Sequence, residues 1–308
     1  MNKIKKNKIG SSETIREAFN FNFSKYIENK PEHIKKIDIV FLVWFIGFVE
    51  GNGNFIIYSK KNNKNKYFSF YINQKDPQLL FKIKKKLGFG IVINYKKKNQ
   101  VYYQYSVSDI DNIIRLIYIF NGNLILEKVQ NIFKEWLHIY NQKYPEKKII
   151  YKNFCPILNL NSSWLSGFID AKGGFYASLT KQKNFKLGYR LRLKFYIARK
   201  DIYFLLKGII KIIYFKQQNS KSPTKINLFN PDRYISKYSS NIDKLEITTN
   251  SFILVIINYL NEYSLQSKKK ITFLRWKRIY LNQDSLKNLS IKSKKSLKRF
   301  KRLVSSMK

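Results

Sequence analysis

In this chain of 308 residues, the side chains able to hold a proton, a metal or a phosphate are unevenly supplied. There are two histidines, His33 and His138, one cysteine, Cys155, and 19 acids against 60 Lys and Arg, a formal charge of +41. One cysteine excludes an internal disulfide, and with two histidines it leaves no zinc site of ordinary type. Neither histidine sits beside a nucleophile motif, so a Ser-His-Asp arrangement is unsupported. Phosphate chemistry remains. In Arg190-Leu191-Arg192-Leu193-Lys194-Phe195-Tyr196-Ile197, period-two alternation puts Arg190, Arg192, Lys194 and Tyr196 on one strand face and an apolar set on the other. Further on, Lys294, Lys295, Lys298, Arg299, Lys301 and Arg302 crowd together while Leu297, Phe300 and Val304 are spaced for one helical face. Such a surplus of cations points to nucleic acid before any small acidic substrate.

The elements that position these residues come as a repeat. Trp44-Phe45-Ile46-Gly47-Phe48-Val49-Glu50-Gly51-Asn52-Gly53-Asn54-Phe55 matches Trp164-Leu165-Ser166-Gly167-Phe168-Ile169-Asp170-Ala171-Lys172-Gly173-Gly174-Phe175. Ile72-Asn73-Gln74-Lys75-Asp76 then pairs with Ile197-Ala198-Arg199-Lys200-Asp201, and Lys128, Phe133 and Trp136 with Lys268, Phe273 and Trp276. The order holds while the offset widens, as insertions such as polar Gln217–Asn241 in the second copy require. Hydrophobic content of 44% and aromatic content of 16% are enough for folded cores despite the charge. Each copy reads as helix, two strands, helix, two strands, helix. The organisation expected is a basic arm over 1–37, a first repeat over 38–142, a linker over 143–162, a second repeat over 163–281 and a basic arm over 282–308. Gly47 and Gly51, and Gly167 and Ala171, stand four apart, leaving one side of each first helix nearly bare backbone. Such faces let two helices approach closely, here about a pseudo-twofold axis that brings Asn52 and Lys172 to the paired helix ends.

Both segments resemble the signature helices of the LAGLIDADG homing-endonuclease family in its monomeric two-repeat form, over about residues 38–281. The resemblance implies an α+β fold of two αββαββα repeats whose antiparallel sheets form a saddle over nucleic acid. It also implies a metal-binding acid just before the final glycine of each motif, and those positions hold Asn52 and Lys172. Cleavage of this type needs carboxylates to hold divalent metals. Asn52 keeps an oxygen without the charge, and Lys172 places a cation where the metal belongs. Glu50 and Asp170 are the fallback acids, but two positions earlier lies roughly 200° around the helix, so a structural role is expected of them. The family's polar residue near the metal-bound water falls at Gln74 and Arg199, and its basic residue near the scissile phosphate at Lys128 and Lys268. Lys172, Arg199 and Lys268 are therefore candidates for a phosphate-holding cluster.

The resulting expectation is an inactive relative that binds RNA as a monomeric chain without a cofactor, first as a component of an organellar ribosome bound to ribosomal RNA. A group I intron maturase is the alternative, and an active DNA endonuclease using Mg²⁺ the least favoured. The abundance of Lys, Asn, Ile, Phe and Tyr suggests an AT-rich gene, hence an organelle-encoded, mitochondrial protein. The N-terminal stretch has no apolar core of secretory type. The longest apolar run, Ile39 to Val49, is about half the ~20 residues of a membrane span, so no membrane is expected.

Overall fold

The computed structural model describes residues 21–59, 66–182, 189–218, 229–239, 241–283 and 294–307. Residues 1–20 of the N-terminal arm, 219–228 and 240 of the 217–241 insertion, and 284–293 lie outside these, as do the side chains of Lys294, Lys295, Leu297 and Arg299. Contacts divide the chain into two units: residues up to Ile46 with Asn52–Ser162, and Gly47–Gly51 with the chain from Ser163 onward.

The first unit contains α1 (Ser24–Glu28), most of α2 (Ile39–Asn52), β1 (Gly53–Ser59), β2 (Lys66–Gln74), α3 (Pro77–Leu87), β3 (Ile91–Lys97), β4 (Gln100–Val107), α4 (Ile110–Phe120) and α5 (Glu127–Lys143). The second contains α6 (Trp164–Lys172), β5 (Gly173–Lys181), β6 (Tyr189–Lys200), α7 (Tyr203–Gln218), β7 (Ile235–Ser239), β8 (Ile242–Ile247), α8 (Asn250–Glu262), α9 (Lys269–Leu281) and α10 (Lys294–Ser305). Each builds one four-stranded antiparallel sheet, in the orders β1-β2-β4-β3 and β5-β6-β8-β7. The duplication is visible in the register, since Gly53 faces Ile72 as Gly173 faces Ile197. It is also visible in the core. The Trp136 indole donates to the Ile56 carbonyl at 3.2 Å, and Trp276 to the equivalent Tyr176 carbonyl at 3.1 Å. Phe55 packs on Phe70, Phe120, Phe133 and Trp136, and Phe175 on Phe195, Phe273 and Trp276.

Local chemistry sets the element ends. Asp76 caps α3 by accepting from the Gln78 amide, Pro77 takes the first turn, and Gly88 at φ +81° closes it. The expected single closing helix of each repeat is instead two, α4 with α5 and α8 with α9. In the first unit the break falls at Gly122, φ +81°, where buried Asn123 donates to the Ile119 carbonyl. The described part of the N-terminal arm packs on the first unit: Phe21, Phe23 and Tyr26 are buried and the Asn22 amide donates to Asn123. The expected linker is bound to the first unit. Asn121 holds Ile150 and Lys152, and Asn141 holds Ile149, each as donor to one backbone group and acceptor from another. In the C-terminal arm, α10 docks through buried Phe300 and through Arg275, which donates to the Ser306 carbonyl. No described helix is long and apolar enough to cross a membrane.

Candidate nucleic-acid interface

One face of each sheet packs on its unit's helices, and the other is open. In β6 the apolar residues Leu193, Phe195 and Ile197 are buried while Arg190 and Arg192 are exposed. Lys194, on the same open face, donates to Glu246 at 2.8 Å, and Lys244 shares that carboxylate at 2.5 Å. Lys301 of α10 donates to the Tyr189 hydroxyl at the start of β6, and Lys298 and Arg302 are exposed beside it. This strand and helix together present a cationic surface with little acidic compensation.

The end of α6 holds the second copy's candidate residues. Burial first, and Arg199 second, hold the Lys172 ammonium below its ordinary value; burial also depresses Arg199, against the pull of Glu50. Neither the Lys172 nor the Arg199 side chain donates a hydrogen bond to any described residue. Asp170 is 4% exposed and fully engaged. One oxygen accepts from the Gln266 amide at 2.6 Å, and the other from the Ser267 amide and hydroxyl. Glu50, 0% exposed, accepts from the Trp164 indole at 2.5 Å. No motif or repeat landmark marks Lys269. Its ammonium donates to the Ile169 and Asp170 carbonyls at 3.2 and 2.8 Å, and burial lowers it to about 8. A cation at a helix C-terminus satisfies orphan carbonyls, and only the fold places this one there. Its neighbour Lys268 is exposed at the start of α9, as Lys128 is on α5.

Within the second unit, a Cβ at Gly47 would overlap the Trp164 carbonyl, and one at Gly51 the Ala171 side chain. Gly167 is buried in the same helix. In the first unit, Asn52 and Gln74 come together at a polar cavity of about 460 Å³, walled by Lys75, Lys97, Tyr95 and Tyr102.

These donors do not fit a divalent ion held by carboxylates. Asn52 offers an amide and Lys172 an ammonium, while both oxygens of Asp170 and one of Glu50 already accept hydrogen bonds from their own unit. Among the described residues, no three His, Cys, Asp or Glu side chains gather as ligands.

Two tandem repeats, each with an αββαββ core and an open sheet face, the second of them basic, define a duplicated architecture. The LAGLIDADG endonuclease profile matches residues 45–140 and 165–280, and the chain belongs to that family. It is 38% identical over 242 residues to the probable intron-encoded endonuclease 4 of Neurospora crassa, covering 77% of this chain and 39% of that protein. The chain thus spans about two fifths of that relative's length. A cox1 intron-2 protein of Schizosaccharomyces pombe is 27% identical over 289 residues, covering 91% of this chain and 77% of its own. Among solved structures, the LAGLIDADG meganuclease I-AabMI bound to uncleaved DNA superimposes with a TM-score of 0.64 at 18% identity, over 87% of this chain and 99% of its own.

Proposed function

We propose that this chain binds nucleic acid without hydrolysing it, and that its ligand is folded RNA. The observation that carries the reading is Lys172, an ammonium beside Arg199 at the position where the family pattern calls for a metal-binding acid. A metal site there would have to overcome direct repulsion: at 4 Å and an effective dielectric of 20, one unit pair is worth about 4 kcal/mol, and a divalent ion doubles it. The same cations suit a phosphodiester, which needs no metal to be held. The net charge of +41 and the exposed arginines of β6 support polyanion binding.

Intron RNA stands first among ligands, because the relatives are named for introns; this puts it ahead of the ribosomal RNA expected from the basic termini. A cox1 intron relative also favours a mitochondrial setting. The test is to sequence the nucleic acid that co-purifies with the full chain, and to incubate pure protein with its intron-insertion DNA in magnesium and in manganese. Intron RNA with intact DNA is the expected result. Metal-dependent nicking that vanishes in Asp170→Asn would overturn the reading and make Asp170 a ligand. Co-purified ribosomal RNA would restore the ribosomal assignment.

A further inference from the structure

The two open sheet faces differ in chemistry although their registers are equivalent. Aligning Gly53↔Ile72 with Gly173↔Ile197 sets Tyr67 opposite the position of Arg192, Ser69 that of Lys194, Gln104 that of Lys244 and Ser106 that of Glu246. All four positions are charged in the second unit and none is in the first. The first unit carries rings instead. Tyr58 and Tyr67, directly paired across β1 and β2, stack at 5.5 Å and 22°; Tyr95 and Tyr102, paired across β3 and β4, stack at 5.8 Å and 21°. Around them Tyr58, Ile91 and Ile93 are 43%, 56% and 46% exposed. An open antiparallel face turned to water is ordinarily polar, so an exposed apolar and aromatic one marks a binding surface.

The rim identifies the occupant. The Lys143 ammonium lies 4.9 Å from the Tyr67 ring and that of Lys75 5.5 Å from the Tyr102 ring. Lys97 and Lys98 stand at the β3–β4 turn, where Lys98 and Asn99 take φ of 49° and 58°, as a tight hairpin requires. Rings in the middle and cations at the edge match an unpaired nucleotide, whose base has a flat π-face and whose phosphate is anionic. A paired base in a duplex hides that face. In the second unit the positions of Tyr58 and Tyr67 hold Ser178 and Arg192, so that pair of rings has no counterpart there.

We propose that the open face of the β1-β2-β4-β3 sheet is a stacking platform for unpaired nucleobases of RNA, with Tyr95 and Tyr102 as one step and Tyr58 and Tyr67 as another. The β6 face holds phosphates and does not discriminate between strands and duplexes. The platform rests on the nucleic-acid reading above and names the state of the ligand.

The test uses the full chain, a single-stranded RNA carrying 2-aminopurine, and the same strand annealed to its complement. The parent protein quenches the 2-aminopurine of the single strand as the base stacks. Replacing Tyr95→Leu together with Tyr102→Leu weakens single-strand binding about tenfold and removes the quenching, leaving duplex affinity unchanged, whereas the paired Phe variants retain both. Tyr58→Leu with Tyr67→Leu gives the same result at the other step. Arg192→Ala weakens strand and duplex alike. Duplex binding by the parent with no single-strand quenching overturns the platform and leaves the nucleic-acid reading standing, as do Leu variants that bind like the parent. A parent dimer that RNA does not dissociate assigns the face to a second copy and likewise overturns it. Binding of neither form overturns the nucleic-acid reading itself.

Discussion

Lys172 and Lys269 are two ammonium groups near the end of one helix, and their partners give them different roles. Lys269 donates to two carbonyls of α6, so it is part of the fold; Lys172 donates to no described residue and faces Arg199. On the proposed reading, replacing Lys172→Glu removes a phosphate ligand and adds a repelling charge. A lost charge-assisted contact costs about 1.5–3 kcal/mol, so RNA affinity in a filter-binding assay falls at least tenfold. Unchanged affinity would place the binding surface away from this centre. Lys269 makes a prediction about pH. Burial lowers its folded value to about 8 from 10.5 in the open chain, so between those values the unfolded chain binds more protons. Stability then rises with pH across that window. Tyr26 and Tyr140 act in the opposite sense, because burial raises both to about 12 and the unfolded chain loses their protons first. Urea melts should show stability climbing above pH 8 and declining above about pH 10. Lys269→Met should reduce the climb, leaving the part that Lys172, also lowered by burial, contributes, and spare the decline.

At the scale of elements, the repeat was legible because it is written in residue types that packing constrains: glycines where backbones close, and Trp136 and Trp276 where one indole must reach one carbonyl. The alternation of β6 fixed its faces for the same reason, since a one-residue slip would bury Arg192. Turns hid the rest. The break between the two closing helices lies at Asn121-Gly122-Asn123, a turn signal that the single-helix reading passed over; there Gly122 adopts positive φ and Asn123 donates to the Ile119 carbonyl. The angular argument could not reach the donors of Glu50 and Asp170, because Trp164 and the 266–267 backbone are distant in sequence. The glycine contacts also yield a prediction. Gly51→Val adds a branched side chain where even a Cβ overlaps Ala171, within a core that has no room to yield. Overpacking of this kind costs about 1–3 kcal/mol. The melting temperature should fall by several degrees, and Ala171→Gly in the same chain should recover part of the loss. Independent, additive effects of the two substitutions would mean that the residues do not share a contact.

Across the whole molecule, charge is the property the sequence announced most loudly and located least well. Composition alone gave +41, but only the registers show that one open face concentrates it while the other carries rings. The C-terminal helix shows how much depends on placement. Read as a free arm, α10 would add phosphate contacts and nothing else; docked through Phe300, with Lys301 on the Tyr189 hydroxyl beside β6, it extends a folded cationic surface. Each phosphate contact releases counterions, steepening the fall of log K with log salt by about 0.7–0.9. Deleting residues 292–308 should therefore weaken RNA binding and flatten that slope by the equivalent of several contacts. The deletion also uncovers the surface Phe300 occupies, so the melting temperature of the second unit should fall as well. Phe300→Ala separates the two effects. It leaves every cation in the chain but loosens the dock, and loss of a buried aromatic side chain costs about 3–5 kcal/mol in a well-packed core, less at a terminal helix. If docking aims the cations, this single change lowers affinity toward that of the deletion while total charge stays the same. If the variant keeps both affinity and salt slope, the helix binds phosphate as a tethered tail, and its contact with the second unit plays no part in recognition.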